Sequence, residues 1–147
     1  MISIDTNVLV YAADEQAGVR HVAAKDIMRA ARDAPVALTD QSLIEFINVT
    51  TRKVKLPFEV VAPYVRELLD SFKVLLPAES IVEDVLALLS RHKMSVFDAR
   101  IVAICASHGC DYLLSEDLQD GARYSSVTVL NPFNVKNTPL INRLFVS

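Results

Sequence analysis

Four acidic side chains spread along the chain, Asp5, Glu45, Asp98 and Asp117, are the residues whose types and settings could do chemistry. Each also has an ordinary structural reading when taken singly. Asp5 stands in Asp5-Thr6-Asn7, just ahead of the apolar Val8-Leu9-Val10-Tyr11, where Asp is a common helix cap. Glu45 follows Ser42 at the spacing of a reciprocal capping pair. Against that, Asp40 is an equally good cap, and the neighbours Ile44 and Phe46 point to an interior. Asp98 follows Ser95 at the same spacing, but it is the first charge on an otherwise apolar run. Arg100 does not neutralise it easily, because residues two apart on a helix face different directions. Asp117, in Leu114-Ser115-Glu116-Asp117-Leu118, has the setting of a solvated acidic turn.

Together the four say more. Carboxylates brought within about 5 Å repel by roughly 3 kcal/mol per pair at an effective dielectric of about 20, so a fold that gathers them needs compensation. Magnesium or manganese would supply it, since both favour carboxylate oxygens and water and leave positions open for a phosphate. The chain has no His or Cys cluster of the kind zinc prefers.

The elements that must position these acids follow from periodicity. Ile2-Ser3-Ile4 reads as a short strand that delivers Asp5 at its carboxyl end. A helical pattern covers 21–31, broken by Asp33-Ala34-Pro35, and a strand covers 36–39. Asp40 can cap a helix over 41–53 with Glu45 inside its broad apolar face. Pro57 opens a helix to about residue 72, an apolar strand covers 74–76, and a helix covers 80–91. Ser95 can cap a helix over 96–107 with almost no polar side, which predicts a central, covered element ended by Gly109. A strand over 112–114, a polar turn over 115–121 and a strand over 127–130 complete the pattern. The alternation predicts an α/β fold in which helices sandwich a mostly parallel sheet, whose ligands bind at the carboxyl ends of the strands. Asp5 and Asp117 both fall there. Residues 134–147, a loop-like stretch followed by Leu140, Ile141, Leu144, Phe145 and Val146, read as an apolar tail docked on the same domain.

Composition narrows the class. A chain of 147 residues with 52% hydrophobic content fits one compact domain. The apolar excess leads us to expect self-association as a homodimer. No stretch approaches the roughly 20 apolar residues of a membrane span, and Met1-Ile2-Ser3-Ile4-Asp5 lacks a basic leader, so a cytoplasmic location is expected. Cys105 and Cys110 read as buried free thiols. A net charge of −3 argues that any nucleic-acid contact is local. The basic runs Arg52, Lys53, Lys55 and Arg91-His92-Lys93 read as solvated faces.

At four places the chain resembles a known family, the PIN-domain ribonucleases, and within it the VapC-like toxins of bacterial and archaeal toxin-antitoxin pairs. The likeness runs from Ile2 to about Phe133 and is carried by Ile4-Asp5-Thr6-Asn7-Val8-Leu9-Val10-Tyr11, Ser42-Leu43-Ile44-Glu45-Phe46, Ser95-Val96-Phe97-Asp98-Ala99-Arg100-Ile101-Val102 and Asp111 to Gly121. The resemblance implies a PIN-like three-layer α/β/α sandwich over 1–133 and RNA hydrolysis with Mg2+ or Mn2+. By motif it carries the family's metal-ligand roles to Asp5, Glu45, Asp98 and Asp117, with Thr6, Asn7 and Ser115 as supporting residues and Asp120 as a reserve ligand. It also implies a small cognate antitoxin protein, which would block the acidic pocket by inserting an Arg. Two other functions stay open from the residues. One is a phosphotransfer protein with Asp5 as nucleophile, although Asn7 occupies the position where dehalogenase-like enzymes carry a second Asp. The other is a non-catalytic interaction module on the same fold.

Overall fold

A computed structural model describes residues 1–146. The elements run β1 (Ile2–Ile4), α1 (Thr6–Ala13), α2 (Val19–Ala31), β2 (Val36–Thr39), α3 (Asp40–Arg52), α4 (Phe58–Ser71), β3 (Lys73–Leu75), α5 (Ile81–Arg91), α6 (Val96–Ser107), β4 (Tyr112–Leu114), β5 (Arg123–Tyr124), β6 (Val127–Leu130) and α7 (Thr138–Val146), with 3-10 turns at Glu15–Ala17 and Val135–Asn137. The strands form one sheet in the order β3-β2-β1-β4-β6-β5. All pairings are parallel except that of the terminal strand β5, which runs against β6.

The sheet is covered on both faces, and the strand sequences show why. Side chains alternate across a strand. Thus Ile2, Ile4, Val36, Leu38, Leu114 and Leu130 enter a core under the first four helices and α7. Ala37, Leu113, Val127 and Val129 enter a second core under α5 and α6. A strand buried on both sides must be apolar on both, which is why these segments read as continuous runs. The three-layer α/β/α arrangement follows.

From β1 the chain proceeds outward to β2 and β3, then returns to lay β4 on the opposite side of β1. Such a reversal opens a crevice at the carboxyl ends of the two adjoining strands, the usual ligand position on these sheets. Here the two strands are stitched to their last residue, with the Asp5 N–H donating to the Leu114 carbonyl at 2.9 Å.

Several local expectations are corrected. Thr39, not Asp40, caps α3, its hydroxyl accepting the Ser42 N–H at 3.0 Å. Ser42 cannot serve as a cap because it lies inside the helix, buried, with its hydroxyl donating to the Ile4 carbonyl at 3.2 Å. Only the later turns of α6 are covered; Val96 and Phe97 are exposed in its first turn. The two-residue β5 was too short to show in a pattern. The tail forms α7, whose Ile141 and Phe145 are buried in the first core. No helix among the described residues is long and apolar enough to cross a membrane.

Because Ile141 is nearly fully covered, Ile141→Ala should cost about 3 kcal/mol, within the roughly 2–5 kcal/mol range for such truncations. Urea unfolding would read this as a lower midpoint at unchanged slope, and a loss below about 0.5 kcal/mol would mean that α7 is not part of the core.

Candidate active site

Asp5 is the innermost acid of the crevice. It leaves β1 and caps α1, with Oδ1 accepting the Thr6 N–H at 2.7 Å. Oδ2 accepts the Ser115 hydroxyl at 2.7 Å from the end of β4. Asp5 is only 4% exposed and pairs with no basic side chain among the described residues. Burial pushes its pKa up to about 6, against the two hydrogen bonds, and the charges of Asp117 and Asp98 add to the rise. A carboxylate with both oxygens occupied and almost no access is poorly placed as a phosphoryl-accepting nucleophile, which counts against the phosphotransfer alternative.

Ser115 sets more than Asp5. Its N–H donates to the Leu130 carbonyl at 3.0 Å, which holds the start of the polar turn against β6. Its hydroxyl oxygen also accepts the Asp117 N–H at 3.1 Å. One buried hydroxyl therefore couples the turn that carries Asp117 to the end of β1. Asp117 itself is exposed, and its pKa is raised by partial desolvation and by Asp98 and Glu116, while the Asn7 amide lowers it. Asn7 faces this acid from the first turn of α1, yet its buried amide atoms make no formed hydrogen bond.

Glu45 reaches the same end from α3. The Thr6 hydroxyl donates to its Oε2 at 2.9 Å, and the Gln41 amide, one helical turn earlier, donates to its Oε1 at 2.9 Å. Asp98 sits in the first turn of α6, where its N–H donates to the Ser95 hydroxyl at 3.1 Å, so Ser95 is the expected cap. The sequence-predicted acids thus meet at one edge of the sheet, with Asp98 and Asp117 close enough to shift Asp5. Glu45 and Asp117 also line a cavity of about 300 Å³ with Thr6, Asn7, Val10, Tyr11 and Val49.

Asp120 is placed elsewhere. Its oxygens accept the Asn131 N–H and the side-chain amides of Asn134 and Asn137, at 2.8–3.0 Å. Partial burial would raise its pKa, but these donors outweigh that and hold it below the usual carboxylate range. It anchors the start of the tail rather than joining the acids. Glu116, adjacent to Asp117, was not among the sequence candidates and is also engaged. It accepts a hydrogen bond from the Tyr11 hydroxyl and pairs with Arg20 Nε at 3.0 Å. The Glu116 hydrogen bond pushes the Tyr11 pKa up to about 12. Nothing in the residue pattern links Arg20 to position 116, whereas the Gln41–Glu45 spacing was a readable signal of a helical pair.

The donors here suit a hard divalent cation. They are oxygens only, none of the four acids has a cationic partner among the described residues, and the Asn7 amide oxygen is buried without a bond. Among the described residues no three acidic, His or Cys side chains converge closely enough to grip one ion by themselves. Glu45 and Asp117 line one cavity, and the charges of Asp98 and Asp117 reach Asp5.

Asp5 gives the metal-free protein a pH signature. The folded chain holds its proton up to about pH 6, whereas an unfolded Asp releases it near 3.8. This contribution to stability is therefore fully present below the unfolded value and lost as pH rises through about 6, some 3 kcal/mol in all. Asp5→Asn removes that loss, so in chelator its stability advantage over the unaltered chain should be about 2–3 kcal/mol larger at pH 8 than at pH 4. Urea denaturation at the two pH values measures it; a pH-independent difference would show that Asp5 is not held in a desolvated, repulsive site.

Comparison with known proteins identifies the fold. A search of curated protein sequences returns no match. Among solved structures, a toxin-antitoxin complex from Klebsiella pneumoniae matches with a TM-score of 0.66 at 22% identity, covering 92% of this chain and 100% of that one. The Mycobacterium tuberculosis toxin VapC20, described as cleaving the sarcin-ricin loop, matches with a TM-score of 0.64 at 18% identity, over 87% of this chain and 99% of that one. The Neisseria gonorrhoeae FitAcB structure matches with a TM-score of 0.64 at 16% identity, over 92% and 100% of the two chains. The PIN domain profile matches residues 2–120, which covers β1 to β4, the crevice between β1 and β4 and all four acids, and the chain belongs to the PIN domain family.

Proposed function

We propose that this chain is a metal-dependent endoribonuclease and the toxin of a toxin-antitoxin pair. The observation that carries the reading is the unpaired carboxylate Asp5, desolvated at the crevice of a PIN fold beside Asp98 and Asp117. Structures of similar fold are a sarcin-ricin loop cleaving toxin and toxin-antitoxin complexes, which supports RNA as substrate and a small antitoxin as partner.

In this reading Asp5, Glu45, Asp98 and Asp117 hold Mg2+ or Mn2+. When bound, such an ion activates a water for attack on the phosphodiester and offsets charge on the departing oxygen. The protein's own part is positional. Ser115 and the Thr6 N–H keep the Asp5 lone pairs aimed, and Thr6 and Gln41 do the same for Glu45. The Asn7 amide, buried beside Asp117, favours the ionised form of that acid. Glu116 is kept out of the ligand set by Tyr11 and Arg20.

Large apolar side chains remain exposed on α3 and α6, at Ile44, Val96 and Phe97, and these helices meet where Gln41 bonds the Phe97 carbonyl. Such surface suits a homodimer or a bound antitoxin, with an antitoxin Arg entering the acidic rim. We further propose that residues 1–133 form the nuclease domain, that the tail serves it structurally, and that the protein acts in the cytoplasm.

The test is incubation of purified protein with mixed RNA. Cleavage should cease in EDTA and return with magnesium or manganese. Asp5→Asn and Asp98→Asn should lower cleavage at least about 100-fold while circular dichroism shows a folded chain. Undiminished turnover in EDTA, or near-normal cutting by either folded variant, would rule out the proposed chemistry.

A further inference from the structure

Arg100 lies two residues after Asp98 but faces away from it, toward α3. Its Nη2 lies 3.7 Å from Asp40 Oδ2, and its Nη1 donates to Gln41 Oε1 at 2.9 Å. Gln41 is 7% exposed, and its Nε2 donates to Glu45 Oε1 at 2.9 Å and to the Phe97 carbonyl at 2.8 Å. Each polar atom of this amide is therefore engaged, by groups from two helices.

The chemistry of the partners allows the amide only one orientation. A guanidinium only donates, while a backbone carbonyl and an ionised carboxylate only accept. Turning the amide over would set its NH2 against Arg100 and its oxygen against both Phe97 O and Glu45. Arg100 thus dictates that a donor points at Glu45, and Asp40 in turn steadies Arg100. With the Thr6 hydroxyl on Oε2 at 2.9 Å, each Glu45 oxygen has one fixed donor and one free lone-pair direction.

We propose that Gln41, oriented by Arg100, is a positioning residue that presents the Glu45 carboxylate to the divalent cation. This rests on the metal-dependent reading above. The competing role is purely structural, since the bond to Phe97 also ties α3 to α6; that role lowers the melting temperature when lost but leaves cation affinity unchanged. Groups that orient metal-binding side chains typically contribute about 10–100-fold in affinity.

The experiment is isothermal titration of the metal-free full chain with MnCl2. Gln41→Met should weaken Mn2+ binding about 10-fold. Arg100→Gln, a milder change at a half-exposed position, should weaken it several-fold, and Arg100→Lys, which retains a cationic donor, should recover most of the loss. Because Arg100 acts through Gln41, the double variant Gln41→Met with Arg100→Gln should bind no more weakly than Gln41→Met alone. Affinities within twofold of the unaltered chain in both single variants, with binding lost in Asp5→Asn, would overturn the clamp and leave the metal site standing. Failure of the unaltered chain to bind Mn2+ would overturn both.

Discussion

The structure turns on keeping a carboxylate out of water without giving it a counter-charge. Asp5 is held where β1 and β4 end side by side, under helices on both faces of the sheet, and its desolvation is the largest contribution to its raised pKa. Two donors, the Thr6 N–H and the Ser115 hydroxyl, soften that cost without removing it. An arrangement that opposes ionisation persists because the two surrounding cores over-determine the backbone. In the proposed function that repulsion would be relieved by a small, doubly charged cation.

The distribution of cations near this end of the sheet is selective. Arg20 pairs with Glu116, and Arg100 pairs with Asp40, so the nearby guanidinium groups lie on acids outside the central set. Asp120 is occupied by three asparagines. Asp5, Asp98 and Asp117 have no such partner among the described residues and influence one another instead. Pairing the outer acids limits the total negative charge at the crevice, while leaving the inner ones unpaired preserves their capacity to bind. Arg20 also lies over the Tyr11 and Phe133 rings, at 5.8 and 5.4 Å from their centroids, so its position is set by stacking as well as by charge.

Hydroxyl groups take the orienting roles because they donate and accept at once. Ser115 gives its proton to Asp5 and receives one from the Asp117 backbone, which ties two acids far apart in sequence through one oxygen. Ser42, fully buried, links α3 to the end of β1, so the helix that carries Glu45 is indexed to the strand that carries Asp5. A methyl group at either position would leave buried polar atoms unpaired at the point where alignment matters most.

The residue pattern alone determined most of the helices and strands in order, α1, β5 and α7 excepted, and the two-faced burial of the sheet, and it singled out Asp5, Glu45, Asp98 and Asp117, because periodicity and strand ends are short-range properties. It also marked Ser95 as a cap correctly. At the start of α3 it offered Asp40 and Ser42 and passed over Thr39, the actual cap, because that choice depends on Ser42 meeting the Ile4 carbonyl. The tertiary structure alone decided that Asp120 serves the tail, that Arg20 answers Glu116, that residues 138–146 form a helix on the core and that Arg100 meets the Gln41 amide oxygen. Each of these depends on distances between groups remote along the chain, which only the folded packing sets.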